Sequence, residues 1–510
     1  MDRYVPEIVI GFVAPSGTDY DRVKTLVSER LRHYGYQAVP VRLSTLLATR
    51  AEHAGRITKA AARDYAKRTT GLQQEGDLFR ATVGKNHALA LAAVNEIASE
   101  RKRLNGGVDE GDKTPVESVA YLVWSFKTPE ELDTLRAIYR SRFFAISVHA
   151  PRRERVERLA QRIAASRKRI GNPSGDDRAD AERIVANDEH EDRNGGAKFG
   201  QNVRDAYPLA DFFVSADDQA SVDRVVDIIF GHPFLTPTND EYGMFVANAA
   251  ALRSAELGRQ VGAAISDDLG DILATGMNEV PAAGGGQYGA DRKPDNREFT
   301  RGLDSSDEMR ELLAGDIEQK LRDAGVLKDP ETSTAAIQNA LRGTHIRYLT
   351  EFGRALHAEA SAFLDAARRG VSVQGATVYV TTFPCHQCTR QVIASGVKRL
   401  VYIYPYPKSL AERFHGDAIY IDGEGPSTKV PFQPFRGVAP RRYLDAFTMP
   451  TRKGDNGAAV AADDTLRSPR LFLGDEEGEW QAGSYIVREV GALQKAGDIF
   501  KEPDELSGEK

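Results

Sequence analysis

Five strand-like runs, the first of them continuously apolar, alternate with helical patterns and constrain the first half of the chain more than any other feature. They are "EIVIGFV" (7–13), "YQAVPVRLS" (36–44), "SVAYLVWSF" (118–126), "FFAISVH" (143–149) and "ADFFVSA" (210–216). A strand that is apolar on both faces must be covered on both, which is the condition of a parallel sheet under helices. The helical stretches lie between these runs. In "DYDRVKTLVSERLRHYG", Val23, Leu26, Val27 and Leu31 share one face and Gly35 supplies a stop. "TPEELDTLRAIYRS" and "PRRERVERLAQRIAA" repeat the pattern. The alternation predicts a doubly wound α/β sheet ending near Phe230, followed by a Pro- and Gly-rich linker, "GHPFLTPTNDEYG" (231–243).

A chain of 510 residues exceeds one ordinary core. The second region opens with a helix in "MFVANAAALRSAEL". Two strands around an Asp/Gly turn follow in "RQVGAAISDDLGDILATGMNEV" (259–280), then a long loop (281–298) and an amphipathic helix, "SSDEMRELLAGDIEQKLRDAG". The expected division is a first domain at 1–235, a second at 236–450, and a mobile loop with a C-terminal helical extension at 451–510. The formal net charge of −6 argues against a bulk nucleic-acid binder. No apolar run is long enough to span a bilayer, and two cysteines cannot build a disulfide framework. The expectation is a soluble cytoplasmic protein with no membrane partner.

Both cysteines, Cys385 and Cys388, lie in "TTFPCHQCTR". Alone, this spacing fits a metal clip, a redox pair or coincidence. Upstream, "LTEFGRALHAEASAFLDAARRG" carries "HAE" at a helix start, and "ATVYVTTFPCHQCTRQVIASGV" reads as a strand entering a helix with Pro384 in its first turn. Two helix starts facing one point gather His357, Cys385 and Cys388, three corners of a Zn2+ tetrahedron whose fourth corner takes water. Helix N-termini favour thiolates. Glu359 stands beside the metal as a proton carrier, and His386 as a bystander. The order H-x-E…P-C-x-x-C is the signature of zinc nucleobase deaminases, in which the activated water attacks the amine-bearing ring carbon.

Taken with these motifs, "RSAELGRQVGAAISDDLGDILATGMNEVPAAGGG" resembles the deoxycytidylate deaminase branch of the cytidine deaminase superfamily, over most of 245–445. The resemblance implies a cytidine deaminase-like α/β/α domain. It puts Asn278 beside the substrate sugar and base, and the backbone of Ala358 near the pyrimidine oxygen. Asn278 also reads as a turn residue closing the hairpin. The segment between "GMN" and "HAE" is longer than in a minimal member, and "VYIYPYPKSLAERFHGDAIY" and "PFQPFRGVAPRRYLDAF" extend the domain. Tyr404, Tyr406 and Lys408 are candidates to line the nucleotide pocket. Arg441 and Arg442 read equally as phosphate contacts or solvated surface.

"IVIGFVAPSGTDYDRVKTLVSERLRHYGYQAVPVRLS" resembles the start of a P-loop kinase, so the doubly wound sheet is expected to be P-loop kinase-like. A working loop reads G-x-x-x-x-G-K-[ST]. Here Gly11 opens the pattern, Ser16 replaces the second glycine, Gly17 replaces the lysine and Thr18 keeps the magnesium-side position. Ordinary phosphoryl transfer is not expected without the lysine, while a nucleotide at Gly11, Ser16, Gly17 and Thr18 is. Residues 151–170 carry eight Lys/Arg against two Glu, which fits a phosphate-facing lid or a solvated helix face.

A degenerate kinase-like half joined to this deaminase type is similar to the bacterial anti-phage dCTP deaminases, over about residues 5–445. That resemblance implies conversion of dCTP and dCMP to dUTP and dUMP, loss of dCTP to an infecting phage, an N-terminal half that senses or restrains, and a homo-oligomer such as a hexamer. The alternatives are a housekeeping dCMP deaminase feeding dTMP synthesis and a polynucleotide-editing cytidine deaminase. The acidic balance and the lack of a basic, aromatic-lined groove argue against nucleic acid as substrate. A purely structural zinc leaves Glu359 without a role.

Overall fold

The computed structural model describes residues 5–169, 171–189, 199–327, 333–341, 344, 346, 352–405, 409–422, 425–448, 452–454, 457–459, 469 and 484–496. It is a mixed α/β structure with two six-stranded, mainly parallel sheets. Contacts divide the chain into two compact units, Met1–Pro237 with Arg436–Lys510, and Thr238–Phe435.

The first unit is built on β1 (Ile8–Val13), β2 (Gln37–Arg42), β3 (Val119–Phe126), β4 (Phe143–His149) and β5 (Phe212–Ser215). They lie in the order β5-β4-β1-β3-β2, all parallel, and a two-residue strand, Gly437–Val438, pairs antiparallel with β5. Chain progression reverses at β1, so the loop after β1 sits where open α/β sheets receive ligands. Helix α1 (Tyr20–His33) buries Val23, Val27 and Leu31 in one core with Ile8, Ile10, Phe12, Leu122, Phe144 and Ile146. Its first turn is capped by Asp19, whose side chain accepts from the Arg22 amide.

Three further helices matter below: α2 (Tyr65–Val83), α3 (Ala88–Leu104) and α4 (Pro129–Tyr139). Helices α5 (Arg152–Ser166) and α6 (Gly175–Glu189) pair with each other and share a small separate core with Ala66 of α2, formed by Val156, Leu159, Ala160, Ile163, Ala181, Ile184 and Val185.

Residues after 435 were expected partly in the second domain and partly as an extension. In the structure, Gly437 and Val438 pair with Phe213 and Phe212, and the helix Ser484–Ala496 packs on α3 and α4. A buried ion network holds that helix. Arg101 is 0% exposed; its Nε lies 2.7 Å from Glu7, and Nη1 and Nη2 lie 2.8 and 2.9 Å from the two oxygens of Glu489.

The second unit begins with α7 (Asn239–Ala251), which starts inside the segment expected to be linker. The reason is a capping box: Thr238 accepts from the Glu241 amide, and the Glu241 carboxylate accepts from the Thr238 amide. Its sheet contains β6 (Gly262–Ser266), β7 (Ile272–Met277), β8 (Thr377–Thr382), β9 (Arg399–Tyr404), β10 (Ile419–Ile421) and β11 (Val430–Pro434), in the order β10-β11-β9-β8-β6-β7. Strands β6 and β7 form the expected antiparallel hairpin, and β8 to β11 run parallel. Helix α8 (Ala358–Arg369) packs on β6 and β7, contributing Ala358, Ala362 and Ala366 to the core with Ala263, Ala274, Val378 and Val380.

Two glycines set the spacing of this sandwich. A Cβ on Gly276 of β7 would lie 2.1 Å from the Ala358 carbonyl oxygen and 2.4 Å from the Ala362 nitrogen. A Cβ on Gly262 of β6 would lie 1.9 Å from the Ala247 carbonyl oxygen of α7. Each helix backbone lies directly on a glycine, which only a residue without Cβ permits.

Candidate active site

His357 is the N-cap of α8, with extended backbone (φ −69°, ψ 154°), and Cys385 is the N-cap of α9 (His386–Ala394). Pro384 therefore precedes the cap rather than occupying the first helical turn. The three ligand atoms of His357, Cys385 and Cys388 lie within 4.8 Å of one another. His357 Nδ1 is 3.4 Å from Cys385 Sγ and 3.3 Å from Cys388 Sγ. A tetrahedral ion with Zn–N near 2.05 Å and Zn–S near 2.3 Å requires about 3.6 Å between nitrogen and sulfur, so the residues fit zinc with little adjustment.

Local chemistry favours the ligand form of Cys385, while the His357 imidazole and the Cys388 thiol hold their protons more firmly than usual. Hydrogen bonds from the Cys388 thiol and from His357 pull the Cys385 thiol down to about 4, against the effect of burial. The bond to Cys385 lifts His357 to about 9. Thr389 is fully buried, and its hydroxyl and amide both donate to the Cys385 carbonyl at 2.9 Å, which anchors the ligand turn. Glu359, 4% exposed, stands outside the three-ligand group but within hydrogen-bonding reach of Cys388. Burial raises its carboxyl above the usual carboxylate range, opposed by His357.

Asn278 follows β7. Its Oδ1 accepts from the Val261 amide at 2.7 Å, and its Nδ2 donates to the Arg259 carbonyl at 2.8 Å. The side chain thus ties the hairpin ends together at the rim that also carries His357 and Cys385. Ala358 is fully buried over Gly276, its amide belonging to the first turn of α8. Tyr406 and Lys408 lie outside the described residues. Arg441 and Arg442 belong to the first unit, where both approach Asp211, at 3.5 and 3.4 Å.

The rim holds two residues that sequence reasoning missed. Arg259 lies with its guanidinium 4.6 Å from the Tyr404 ring centroid. It was legible only as one more charge ahead of β6, because Tyr404 is far along the chain. Glu256 has a buried Oε2 with no hydrogen-bond partner among the described residues. Burial and the neighbouring Asp304, Glu279 and Glu298 push its carboxyl up to about 7.

The N-terminal loop differs from the expected nucleotide cradle. A Cβ on Gly11 would meet the rings of Phe126 and Phe143 at 2.7 and 2.8 Å, so this glycine serves sheet packing. The Ser16 amide donates to Asp188 Oδ2 at 2.6 Å. Gly17 adopts φ +90° with its Cα against the Arg155 backbone, and Thr18, 1% exposed, donates its hydroxyl to the Pro15 carbonyl at 2.8 Å. Gly11 lies within β1, and Ser16, Gly17 and Thr18 belong to a turn closed by the Thr18 amide on the Pro15 carbonyl, with the Ser16 amide taken by Asp188.

A family profile described as "Cytidine and deoxycytidylate deaminase zinc-binding region" matches residues 237–404. The deoxycytidylate deaminase of Mycobacterium phage D29 is 30% identical over 166 residues, covering 32% of this chain and 94% of that protein. The chain belongs to the deoxycytidylate deaminase family. Its zinc-binding deaminase domain carries the His/Cys/Cys group just described. The deoxycytidylate deaminases of Enterobacteria phages T2 and T4 are each 50% identical over 54 residues, which is 11% of this chain and spans only 29% and 28% of theirs. The dCMP deaminase of cyanophage S-TIM5, solved with dCMP and dUMP, is 18% identical with a TM-score of 0.23, covering 39% of this chain and 98% of that one. Among the described residues, no helix is long and apolar enough to cross a membrane.

Proposed function

We propose that the chain hydrolytically deaminates free deoxycytidine nucleotides, dCTP as well as dCMP, to the deoxyuridine nucleotides and ammonia. The observation that carries this reading is the convergence of His357, Cys385 and Cys388 with a buried, separate Glu359. His357, Cys385 and Cys388 would hold Zn2+, which would supply a water of lowered pKa as the attacking group. Glu359 takes one proton from the attacking water and delivers it to the ring nitrogen N3 of cytosine. It then takes the second proton, from the new C4 hydroxyl, and passes it to the amine, so the C4–N bond breaks as the C4=O bond forms and ammonia leaves. The raised affinity of its buried carboxyl for protons suits a group that must both take and give one.

Asn278, held by the hairpin backbone, offers its amide to the sugar and base, and the backbone at Ala358 faces the pyrimidine oxygen. Tyr404, Tyr406 and Lys408 line the nucleotide. Arg259, exposed at the same rim over Tyr404, gives the substrate phosphate a cation. Free nucleotides, cytoplasmic location and a homo-oligomer, with the hexamer as the expected state, follow from the same reading. So does the biological consequence, depletion of dCTP in defence against phage.

The names of the matched phage relatives favour a second reading, a dCMP deaminase that supplies dUMP. Ammonia release from dCTP, dCMP, CTP and deoxycytidine by purified protein separates the two. Turnover of both deoxynucleotides supports the first, and dCMP alone supports the second. Glu359→Gln is expected to keep zinc and lose turnover, while normal deamination by that variant refutes the assignment.

A further inference from the structure

The first unit contains an arrangement that the deaminase chemistry does not use. The loop after β1 lacks the lysine that normally follows its second glycine, since Gly17 stands there. A lysine is present all the same, from a different strand. Lys127, one residue beyond the end of β3, brings its Nζ to 3.2 Å from the Ala14 carbonyl. Strand β3 is the hydrogen-bonded neighbour of β1, so their ends lie side by side at the place where chain progression reverses. Basic side chains from α5 close the other flank. Arg155 donates to the Ser16 carbonyl at 3.3 Å and Arg158 to the Gly17 carbonyl at 3.0 Å. The ambiguous basic stretch thus has at least two arginines turned onto the loop.

Lys127, Arg155 and the loop amide face an anion that belongs to the chain itself, while Arg158 lies 3.9 Å from Asp19. Asp188 is 0% exposed; one carboxylate oxygen accepts from the Ser16 amide at 2.6 Å, and the other lies 2.7 Å from Lys127 Nζ. The next residue, Glu189, lies 2.5 Å from Arg155 and 3.6 Å from Arg152. Two adjacent carboxylates therefore end α6 with an oxygen on a loop amide, an oxygen on a lysine and a contact to arginines. This donor set, backbone N–H plus Lys plus Arg, is what a phosphate or polyphosphate group takes from a protein. The negative end of the α6 dipole lies at the same point. The small core that α5 and α6 share with Ala66 of α2 is separate from the main core, so the Asp188–Glu189 end of α6 can leave the loop while α5 keeps Arg155 and Arg158 in place.

We infer that the loop Ala14–Thr18 with Lys127, Arg155 and Arg158 is a binding site for a phosphate-bearing anion, held closed by the Asp188–Glu189 end of α6 acting as a resident substitute for that anion. Lys127 takes the part of the missing loop lysine. Ligand and α6 compete for the same donors, so occupancy by one requires the departure of the other. A latch closed in about nine molecules of ten weakens apparent binding about tenfold, and one closed more firmly weakens it further.

The test is calorimetric titration of inorganic pyrophosphate and of ATP into full-length protein, with adenosine as a phosphate-free probe. Asp188→Asn keeps an acceptor for the Ser16 amide and the shape of the packing, but removes the charge that competes for Lys127. The inference predicts that D188N binds pyrophosphate at least about tenfold more tightly than wild type, and that the K127M/D188N double variant loses the gain. Thermal melting gives an independent readout, because pyrophosphate should raise the midpoint of D188N more than that of wild type or the double variant. ATP binding in step with pyrophosphate identifies a free phosphate site, stronger ATP binding identifies a nucleotide, and adenosine should not bind. Equal pyrophosphate affinity in wild type and D188N, or a gain that survives the loss of Lys127, overturns the inference.

Discussion

Gly276 and Gly262 offer a paired perturbation whose outcome separates site geometry from general packing. Alanine at either position builds a Cβ into a helix backbone, 2.1 Å from the Ala358 oxygen or 1.9 Å from the Ala247 oxygen. Ordinary van der Waals contact for a Cβ begins at 3.4 Å, so each helix must move by 1.3 or 1.5 Å, the differences 3.4 − 2.1 and 3.4 − 1.9. The steric insult is comparable, slightly larger at Gly262, and each should cost about 1–3 kcal/mol of stability by overpacking. The consequences differ because only α8 starts with the metal ligand. Its retreat takes His357 and Glu359 away from the two cysteines, which stay with β8 and α9, and opens nitrogen-to-sulfur separations of 3.3 and 3.4 Å. A misplacement near 1 Å costs about 10²-fold in rate. Helix α7 carries none of the proposed site residues. Gly276→Ala should therefore lose zinc, measured by metal analysis after dialysis, and about two orders of magnitude in deamination. Gly262→Ala should fall by a similar amount in melting temperature while keeping stoichiometric zinc. Zinc loss in both, or full zinc and activity in Gly276→Ala, refutes the argument that Gly276 seats the ligand.

Four further outcomes are expected. Replacing Arg101 by Met leaves Glu7 and Glu489 buried without their cation and should cost about 3–5 kcal/mol in urea unfolding. The chain has two cysteines, both in the proposed metal site, so a thiol reagent should label neither before chelation and both afterwards, with turnover lost in parallel. Arg259→Ala should raise KM for dCMP much more than for deoxycytidine, and an equal effect on both would remove Arg259 from phosphate binding. Burial, aided by Lys85 and opposed by Glu130 and Glu131, holds His87 below its ordinary value. The unfolded chain then binds the extra proton first, so stability is present above about 6.5 and falls as pH drops below it. His87→Gln should flatten that part of the stability profile.

The parallel sheet of the first unit was readable because each central strand is apolar on both faces, and the metal group because its spacing belongs to two helix starts. What escaped is non-local. Arg101 sits in "ASERKRL", a string that reads as solvated surface, and its partner Glu489 is 388 residues away. The loop "APSGT" has the composition of a phosphate cradle. Its resident occupant, Asp188, lies 172 residues from Ser16 and looks like a surface charge on a polar helix. Arg259 and Tyr404 meet only because β6 starts and β9 ends at one rim of the sheet. Burial can be inferred from apolar periodicity, whereas an ion pair across a fold leaves no mark in either neighbourhood.

The division of the chain into Met1–Pro237 with Arg436–Lys510, and Thr238–Phe435 between them, has a bearing on synthesis. The deaminase unit is contiguous and has left the ribosome in full before the first unit is complete. Until Gly437–Val438 arrive, β5 is an open sheet edge, and until Glu489 arrives, Arg101 has one buried carboxylate instead of two. The first unit must therefore wait, half-closed, while nearly two hundred residues of a different domain emerge and fold. Ribosomes stalled beyond residue 435 should carry a protease-resistant deaminase unit beside a still-sensitive first unit.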